Sequence, residues 1–245
     1  MNMPSSLLKK AEDLINMAKC YRQQRETKFH NFNKLTEAIK NAPSIALIGN
    51  AGYLSNLEQG NLIDKYDLVI RMNNFKIKSY EKNVGEKIDI YLCCFYSDID
   101  YTNPYTRHAK WHISSVPNNF ITCTAIPRKH CYQITEGIKK LGINNIYTPS
   151  IKDYKNYTKK IHAPPSTGIT AMLMIDQYLS HITSEIYITG FSFMEGKNHY
   201  FSHSMADLNT HNPKNEKMLA LEIIDKHKKI GKLSIDPIME RYLLT

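Results

Sequence analysis

Cysteine is sparse in this sequence. Its five residues, Cys20, Cys93, Cys94, Cys123 and Cys131, are odd in number and form no C-x-x-C. A disulfide framework and a zinc knuckle are both poor fits to that pattern. Glycine and proline are also few, ten of each in 245 residues, which excludes a collagen-like or low-complexity chain. No apolar run approaches the ~18–20 residues of a membrane-spanning helix. The opening MNMPSSLLKKAEDL lacks the charged-then-apolar layout of a signal peptide, so a reduced, cytosolic protein is expected. Tryptophan occurs once, and the 16 tyrosines form no nucleic-acid motif. Neither an internal repeat nor an interdomain linker is visible.

What is present suits one globular domain: 42% hydrophobic and 22% charged residues, enough to bury a sizeable core. Lys and Arg number 32 against 23 Asp and Glu, a formal charge of +9. That sign fits nucleic acid, an anionic membrane face or an anionic substrate, and does not choose among them.

Residues 5–41 read as helix. Leu7, Leu8, Ala11, Leu14, Ile15 and Ala18 recur at helical spacing, and Ser5 or Ser6 can cap the start. Lys9 and Lys10 mix with Glu12 and Asp13 on the polar face. Packing on the domain or a partner protomer therefore ranks above recruitment to an anionic membrane. Residues 1–41 are expected to form an N-terminal helical extension, and 42–245 a single domain. Strands are expected at Ser44–Gly49, Leu68–Met72, Ile88–Cys94, Trp111–Ser114, Phe120–Cys123, Asn145–Thr148, Glu185–Thr189 and Lys232–Ile235. Helices are expected at His130–Leu141, Gly168–Leu179 and Asn212–Lys229. Ser150–Pro165 and Tyr200–Asn212 read as irregular loops or lids. Apolar strands alternating with helices predict an α/β fold with a mostly parallel central sheet.

Three segments carry chemistry. The first is IGNAGYLSN followed by YDLVIRMNNFK. Its Gly49-Asn50-Ala51-Gly52 turn sets backbone N–H groups and an amide at the carboxyl edge of a sheet, where ligands of open α/β sheets bind. It is not G-x-G-x-x-G, and a glycine turn is often only a turn. Arg71 can meet an anion, but at a strand end a structural ion pair is the commoner use. The second segment is APPSTGITAMLMIDQYL. Ser166 or Thr167 can cap a buried helix there, and Gly168 allows close backbone approach. That is either a phosphate site at a helix N-terminus or a plain cap. The third segment, GKNHYFSHSMADLNTHNPKNE, holds His199, His203, His211 and Glu216. His199 and His203 have metal-pair spacing, but their loop-like surroundings offer no second helical carboxylate, so no metal is expected. Histidines near a phosphate site suit charge stabilisation and general base work, whereas in a polar loop they are only surface residues.

In order, these segments resemble the sialylmotifs of the animal-type sialyltransferase family. IALIGNAGYL, LVIRMNNFKI and KNVGEKIDIYL resemble the long motif, and PSTGITAMLMIDQYLSHITSEIYITGF the short one. His199-Tyr200 matches the third motif. His211 and Glu216, separated by four residues, match the very short motif. The resemblance covers roughly residues 43–235. It implies a GT-A-like variant of a Rossmann-like fold without a D-x-D metal site, and a CMP-sugar donor with no other cofactor. It also implies nucleotide contacts from Asn50 and Asn73, donor binding by Ser166, Thr167 and Gly168, and Gly190 and Phe191 near the nucleotide. His199 corresponds to the donor-phosphate histidine and His211 to the catalytic base; Glu216 fits the motif with a less defined role. The activity implied is metal-independent, inverting transfer of sialic acid from CMP-sialic acid to a glycan hydroxyl. The alternatives are a CMP-3-deoxy-manno-octulosonic acid transferase, a CMP-binding protein without turnover and, weakest, a nucleic-acid-binding module.

The sequence departs from the animal pattern. Ile45 and Thr183 stand where animal members pair two cysteines, and no signal-anchor helix is visible. Both changes fit a reduced bacterial cytosol, with contact at the inner membrane face as the lesser alternative. A lipooligosaccharide or capsule-type acceptor follows from that setting. His203, in HYFSH, is a second candidate base, because bacterial sialyltransferases of a related family place a catalytic histidine in a similar string. Between Cys94 and Pro149 nothing matches.

Overall fold

The computed structural model describes residues 28–73, 75–94, 121–127, 143, 145–179, 185–196, 199–201 and 211–244, with single positions at 8, 11, 14, 15 and 18. Eight strands build one sheet: β1 (Lys28–Asn31), β2 (Ser44–Ile48), β3 (Leu68–Met72), β4 (Ile90–Cys93), β5 (Ile121–Thr124), β6 (Asn145–Thr148), β7 (Glu185–Thr189) and β8 (Leu233–Ile235). Their order is β1-β6-β5-β4-β3-β2-β7-β8, and every pairing is parallel. The chain steps from β2 outward through β3, β4, β5 and β6, then restarts on the other side of β2 with β7 and β8. The reversal between β2 and β7 is the topological switch point at which open α/β sheets take ligands.

The central strands are buried on both faces. Along β2, Ile45 and Leu47 join the main core, while Ala46 and Ile48 pack with Ile63, Val69 and Tyr187 on the other side. This follows from the two-residue period of a strand covered on both faces. The main core is completed by α5 (Thr167–Leu179) and α6 (Pro213–Lys228), through residues such as Met172, Ile175, Leu219 and Ile223. Shorter helices are α1 (Thr36–Lys40), α2 (Gly60–Ile63) and α3 (Glu81–Val84); α4 (Ile151–Ile161) and α7 (Pro237–Leu244) lie later in the chain, and single 3-10 turns run Phe32–Leu35 and Gly52–Asn56. No helix among them is long and apolar enough to cross a membrane.

Three expectations are corrected. Residues 28–41 are not one unbroken helix: Lys28–Asn31 is an edge strand paired with β6, whereas Phe32–Leu35 and Thr36–Lys40 are helical as expected, with Phe32, Leu35 and Ile39 buried in the main core. Polar residues in KFHN hide the strand because an edge strand buries little. Ser150–Pro165 is not a loop. Ser150 caps α4 by accepting from the Asp153 N–H at 3.0 Å, and Tyr157 and Ile161, one turn apart, are its buried residues. At the described positions of the N-terminal helix, Leu8, Leu14 and Ile15 are exposed, so of the two expected packings, on the domain or on a partner protomer, these residues do not show the first. The expected elements at Trp111–Ser114 and His130–Leu141 lie outside the described residues.

Candidate active site

A cleft opens at the carboxyl edge of the sheet over the switch point. Its walls include Gly49 and Asn50 after β2, Met72 and Asn73 at the end of β3, and Gly190 and Phe191 after β7. Ser166 and Gly168 at the start of α5, His199, and Glu216 in the first turn of α6 also line it. Two strand ends meet there through their main chains. The Gly49 N–H donates to the Thr189 carbonyl (2.8 Å) and the Ala51 N–H to the Gly190 carbonyl (2.9 Å). A Cβ on Gly49 would lie 2.1 Å from the Gly190 carbonyl oxygen, so only glycine fits.

Two asparagines line the cleft. The Asn50 amide donates to the Met72 carbonyl at 2.9 Å, which fixes the orientation of that side chain. Asn50 Oδ1 and Asn73 Oδ1 are buried with no hydrogen-bond partner. Buried acceptors are rarely left unpaired, so two of them on residues of one cleft are exceptional. Asn73 is in the left-handed region (φ 50°), a conformation that asparagine tolerates, and its N–H donates to the Leu92 carbonyl at 2.8 Å.

Ser166 is the cap of α5: its Oγ accepts from the Ile169 N–H at 3.3 Å. Its own donors go to Glu216, the N–H to Oε1 at 2.7 Å and the hydroxyl to Oε2 at 2.6 Å. Glu216 is buried, and burial raises its carboxyl above the ordinary range despite Ser166 and His211. A carboxylate therefore already stands against the N-terminal end of α5 and offsets part of its dipole. His211 Nδ1 is 3.0 Å from the Pro164 carbonyl oxygen and 3.9 Å from Glu216 Oε1. With the Nδ1 proton donated to Pro164, the Nε2 lone pair is left free to accept a proton.

His199 is packed against Phe201, ring centroids 5.1 Å apart, and burial lowers its pKa. It is held by its neighbour. The Tyr200 N–H donates to the Asn50 carbonyl (3.1 Å), and the Tyr200 hydroxyl bridges the N–H and carbonyl of Lys76 at 2.7 and 2.5 Å.

The sequence pattern of glycosyltransferase family 29 (sialyltransferase) matches residues 7–228. The chain belongs to glycosyltransferase family 29. A human Type 2 lactosamine alpha-2,3-sialyltransferase is 25% identical over 218 residues, covering 74% of this chain and 62% of the human protein. The chain thus spans about three-fifths of the length of that curated relative. A Beta-1,6-galactosyltransferase of Arabidopsis thaliana is 51% identical over 47 residues, 19% of this chain and 12% of the plant protein. Among solved structures, a mammalian sialyltransferase in complex with Gal-beta-1-3GalNAc-ortho-nitrophenol has a TM-score of 0.53 at 17% identity, covering 90% of this chain and 85% of that one. The likeness is in the fold, GT-A-like with one parallel sheet flanked by helices.

Of the residues singled out from sequence, this family 29 chain brings Asn50, Asn73, Ser166, Gly168, Gly190, Phe191, His199 and Glu216 to one cleft. His211 stands beside it, against Glu216. Thr167 is not among the walls; it is buried, and its side chain meets the Cys94 thiol. Gly168 is small for a second reason, since a Cβ there would lie 2.8 Å from the Phe191 ring. Arg71 is fully buried and clamps backbone carbonyls, Nε to Lys87 (2.8 Å) and Nη2 to Val84 (2.6 Å), with burial drawing its pKa down to about 10. Its role is structural, through carbonyls and not the ion pair expected. His203 lies outside the described residues. Among those described, no three His, Cys, Asp or Glu side chains gather as metal ligands, and Cys93, Cys94 and Cys123 are in no disulfide.

Sequence reasoning missed the cleft walls Ser192, Phe193 and Met194. Phe193 and Met194 both adopt positive φ, 50° and 65°, closing a turn in which Glu195 N–H donates to the Ser192 carbonyl. No glycine marks that turn, and an apolar F-S-F-M string reads as strand.

Proposed function

We infer that the chain is an inverting, metal-independent sialyltransferase that uses CMP-sialic acid and a glycan acceptor. The observation that carries this reading is the pair of unpaired asparagine oxygens, Asn50 Oδ1 and Asn73 Oδ1, at a switch-point cleft that also holds His199. They suit the amino and hydroxyl donors of a cytidine. His199 suits the phosphate: neutral when the cleft is empty, it gains a proton and a partner when an anion arrives. Family membership supports sialyl transfer as the reaction.

In the proposed reaction the acceptor hydroxyl oxygen attacks the anomeric carbon as the bond from that carbon to the phosphate oxygen breaks. CMP departs with the bonding electron pair, and His211 Nε2 takes the hydroxyl proton. One displacement inverts the centre. The phosphate charge falls to His199 and the remaining N–H groups at the start of α5. Glu216 anchors Ser166 and stands behind His211, an orienting role.

The test incubates purified protein with CMP-sialic acid and glycan acceptors in EDTA and follows CMP release and sialylated product. Activity lost in EDTA and restored by a divalent ion overturns the metal-free mechanism. No CMP binding at millimolar concentration overturns the donor. The plant relative's name places galactosyl transfer on a protein sharing a short stretch with this one, so such a stretch does not by itself dictate the sugar. Competition between CMP-sialic acid and CMP-3-deoxy-manno-octulosonic acid decides the sugar. A lipooligosaccharide or capsule-type acceptor is proposed on the strength of the reduced-cytosol reading, and an acceptor panel tests it.

A further inference from the structure

We propose that Tyr53 and Asp236 are positioning residues for the donor cleft, holding the Gly190–Phe191 backbone, and through it the Phe191 ring, where the nucleotide is taken up. The inference rests on the reading of the cleft as a nucleotide site. Neither residue lines the cleft; Tyr53 stands in the IGNAGYLSN string without a role of its own there, and Asp236 lies beyond all the strings that suggested the site.

The contacts form a saturated chain. The Tyr53 hydroxyl oxygen accepts from the Gly190 N–H at 2.8 Å and the Phe191 N–H at 3.2 Å. It donates its own proton to Asp236 Oδ2 at 2.8 Å. A phenol has one proton and room for two incoming donors, so all three places are used and the direction of each bond is settled. Asp236 supplies that direction. Its Oδ2 also accepts from the Thr189 hydroxyl at 2.7 Å, and its Oδ1 accepts from the Ile238 and Met239 N–H groups at 2.9 and 2.8 Å, capping α7. Thr189 accepts from the Gln59 amide at 2.9 Å, and Gln59 accepts from the Tyr187 hydroxyl at 2.6 Å. Asp236 is 2% exposed and Thr189 fully buried, so water does not replace these partners easily.

The chain ends in the cleft. Gly190 leaves β7 in the left-handed region (φ 85°), and this turn aims two consecutive N–H groups at one oxygen. The Phe191 side chain is thereby pressed against Gly168, at the start of α5. Four separate parts of the chain meet here: the turn Gly52–Asn56 after β2, the end of β7, the start of α5, and α7 near the C-terminus. An Asp236 substitution therefore acts on the cleft from outside it.

The experiment measures Tyr53→Phe, Asp236→Asn and a control, Ser44→Ala. The control removes the hydrogen bond from Ser44 to Asp67 (2.6 Å) at the far end of β2, away from the cleft. Three readouts are taken: CMP affinity by calorimetry, donor KM and kcat, and hydrogen exchange of the Gly190 and Phe191 amides relative to Ile188. Tyr53→Phe is expected to weaken CMP binding about tenfold and raise donor KM in step, with kcat within about threefold. Exchange at Gly190 and Phe191 accelerates while Ile188 holds, and Ser44→Ala moves none of these. Asp236→Asn shifts the same readouts in the same direction, and it decides the matter should Tyr53→Phe not fold. Unchanged CMP affinity together with unchanged exchange at the two amides overturns the proposal, whatever the loss of thermal stability. If the parent binds no CMP, the nucleotide reading falls on that result, and the exchange comparison alone supports or overturns the hold on Gly190 and Phe191.

Discussion

The Glu216 carboxylate grips Ser166 by both of its donors, backbone N–H at 2.7 Å and hydroxyl at 2.6 Å, across fifty residues of chain. The acid of the H-x-x-x-x-E string thus fastens the first turn of α6 to the residue that caps α5. His211, five residues earlier, is brought to the same place.

Glu216→Gln should separate this fastening from catalysis. A glutamine can still accept from the Ser166 N–H, so the fold survives. Burial raises the Glu216 pKa, so the folded state binds more protons than the unfolded state between the ordinary carboxyl value and the raised one. Stability of the parent therefore falls as pH rises through that window. At neutral pH the variant is expected to melt at or above the parent temperature while turnover drops, because His211 loses its negative neighbour. Glu216→Ala leaves both Ser166 donors unmatched and should destabilise by about 2 kcal/mol. Thermal melts beside initial rates check both.

The histidines should divide by kinetics. His211→Ala is expected to lower kcat ~10²–10⁴-fold with CMP affinity within about twofold. His199→Ala should lower turnover and weaken CMP binding together, about tenfold for binding. His203→Ala should be mild. An inactive His203→Ala beside an active His211→Ala moves the base into HYFSH.

Nucleotide binding should take up a proton. Burial holds the His199 pKa below its ordinary value, and a phosphate beside it raises that value. CMP affinity is then expected to rise as pH falls from the bound-state pKa toward the free-state pKa. Calorimetry in two buffers of different ionisation enthalpy measures the uptake, and His199→Gln should abolish it. Without ligand the sign for stability runs the other way. The unfolded chain binds the proton more readily, so this residue costs stability as pH drops from ~6.5 toward the lowered value.

Gly168→Ala should be rescued from the other side of the contact. Alanine favours a helix by about 1 kcal/mol, so the substitution alone has no reason to hurt α5. Its Cβ would, however, stand 2.8 Å from the Phe191 ring and displace that ring within the cleft wall. CMP affinity is expected to fall in Gly168→Ala and to return in part in the Gly168→Ala/Phe191→Leu double variant. Equal affinity in all three proteins would remove Phe191 from the donor contact.

The sheet was largely legible because its central strands are continuous apolar runs; Leu68–Met72, Asn145–Thr148 and Glu185–Thr189 lie where expected. β1 was not, since KFHN buries too little to leave a pattern. α4 was hidden by its lysines, as only Tyr157 and Ile161 face inward. The cleft residues were legible through a resemblance spread over four short strings; composition and periodicity alone left Ser166 as either cap or phosphate ligand. Tyr53 and Asp236 escaped because 183 residues separate them, and a buried hydroxyl–carboxylate pair at that distance leaves no local pattern.

Gly49 and Gly190 meet backbone to backbone at the cleft, and any residue larger than glycine at Gly49 collides with the Gly190 carbonyl. The crossing of these two strand ends is therefore closed to point substitution in every variant that folds. Side-chain exchange that spares the sheet is left to half-buried lining positions such as Met194. A library randomised at Met194 should retain CMP binding far more often than one randomised at Gly49 and Gly190.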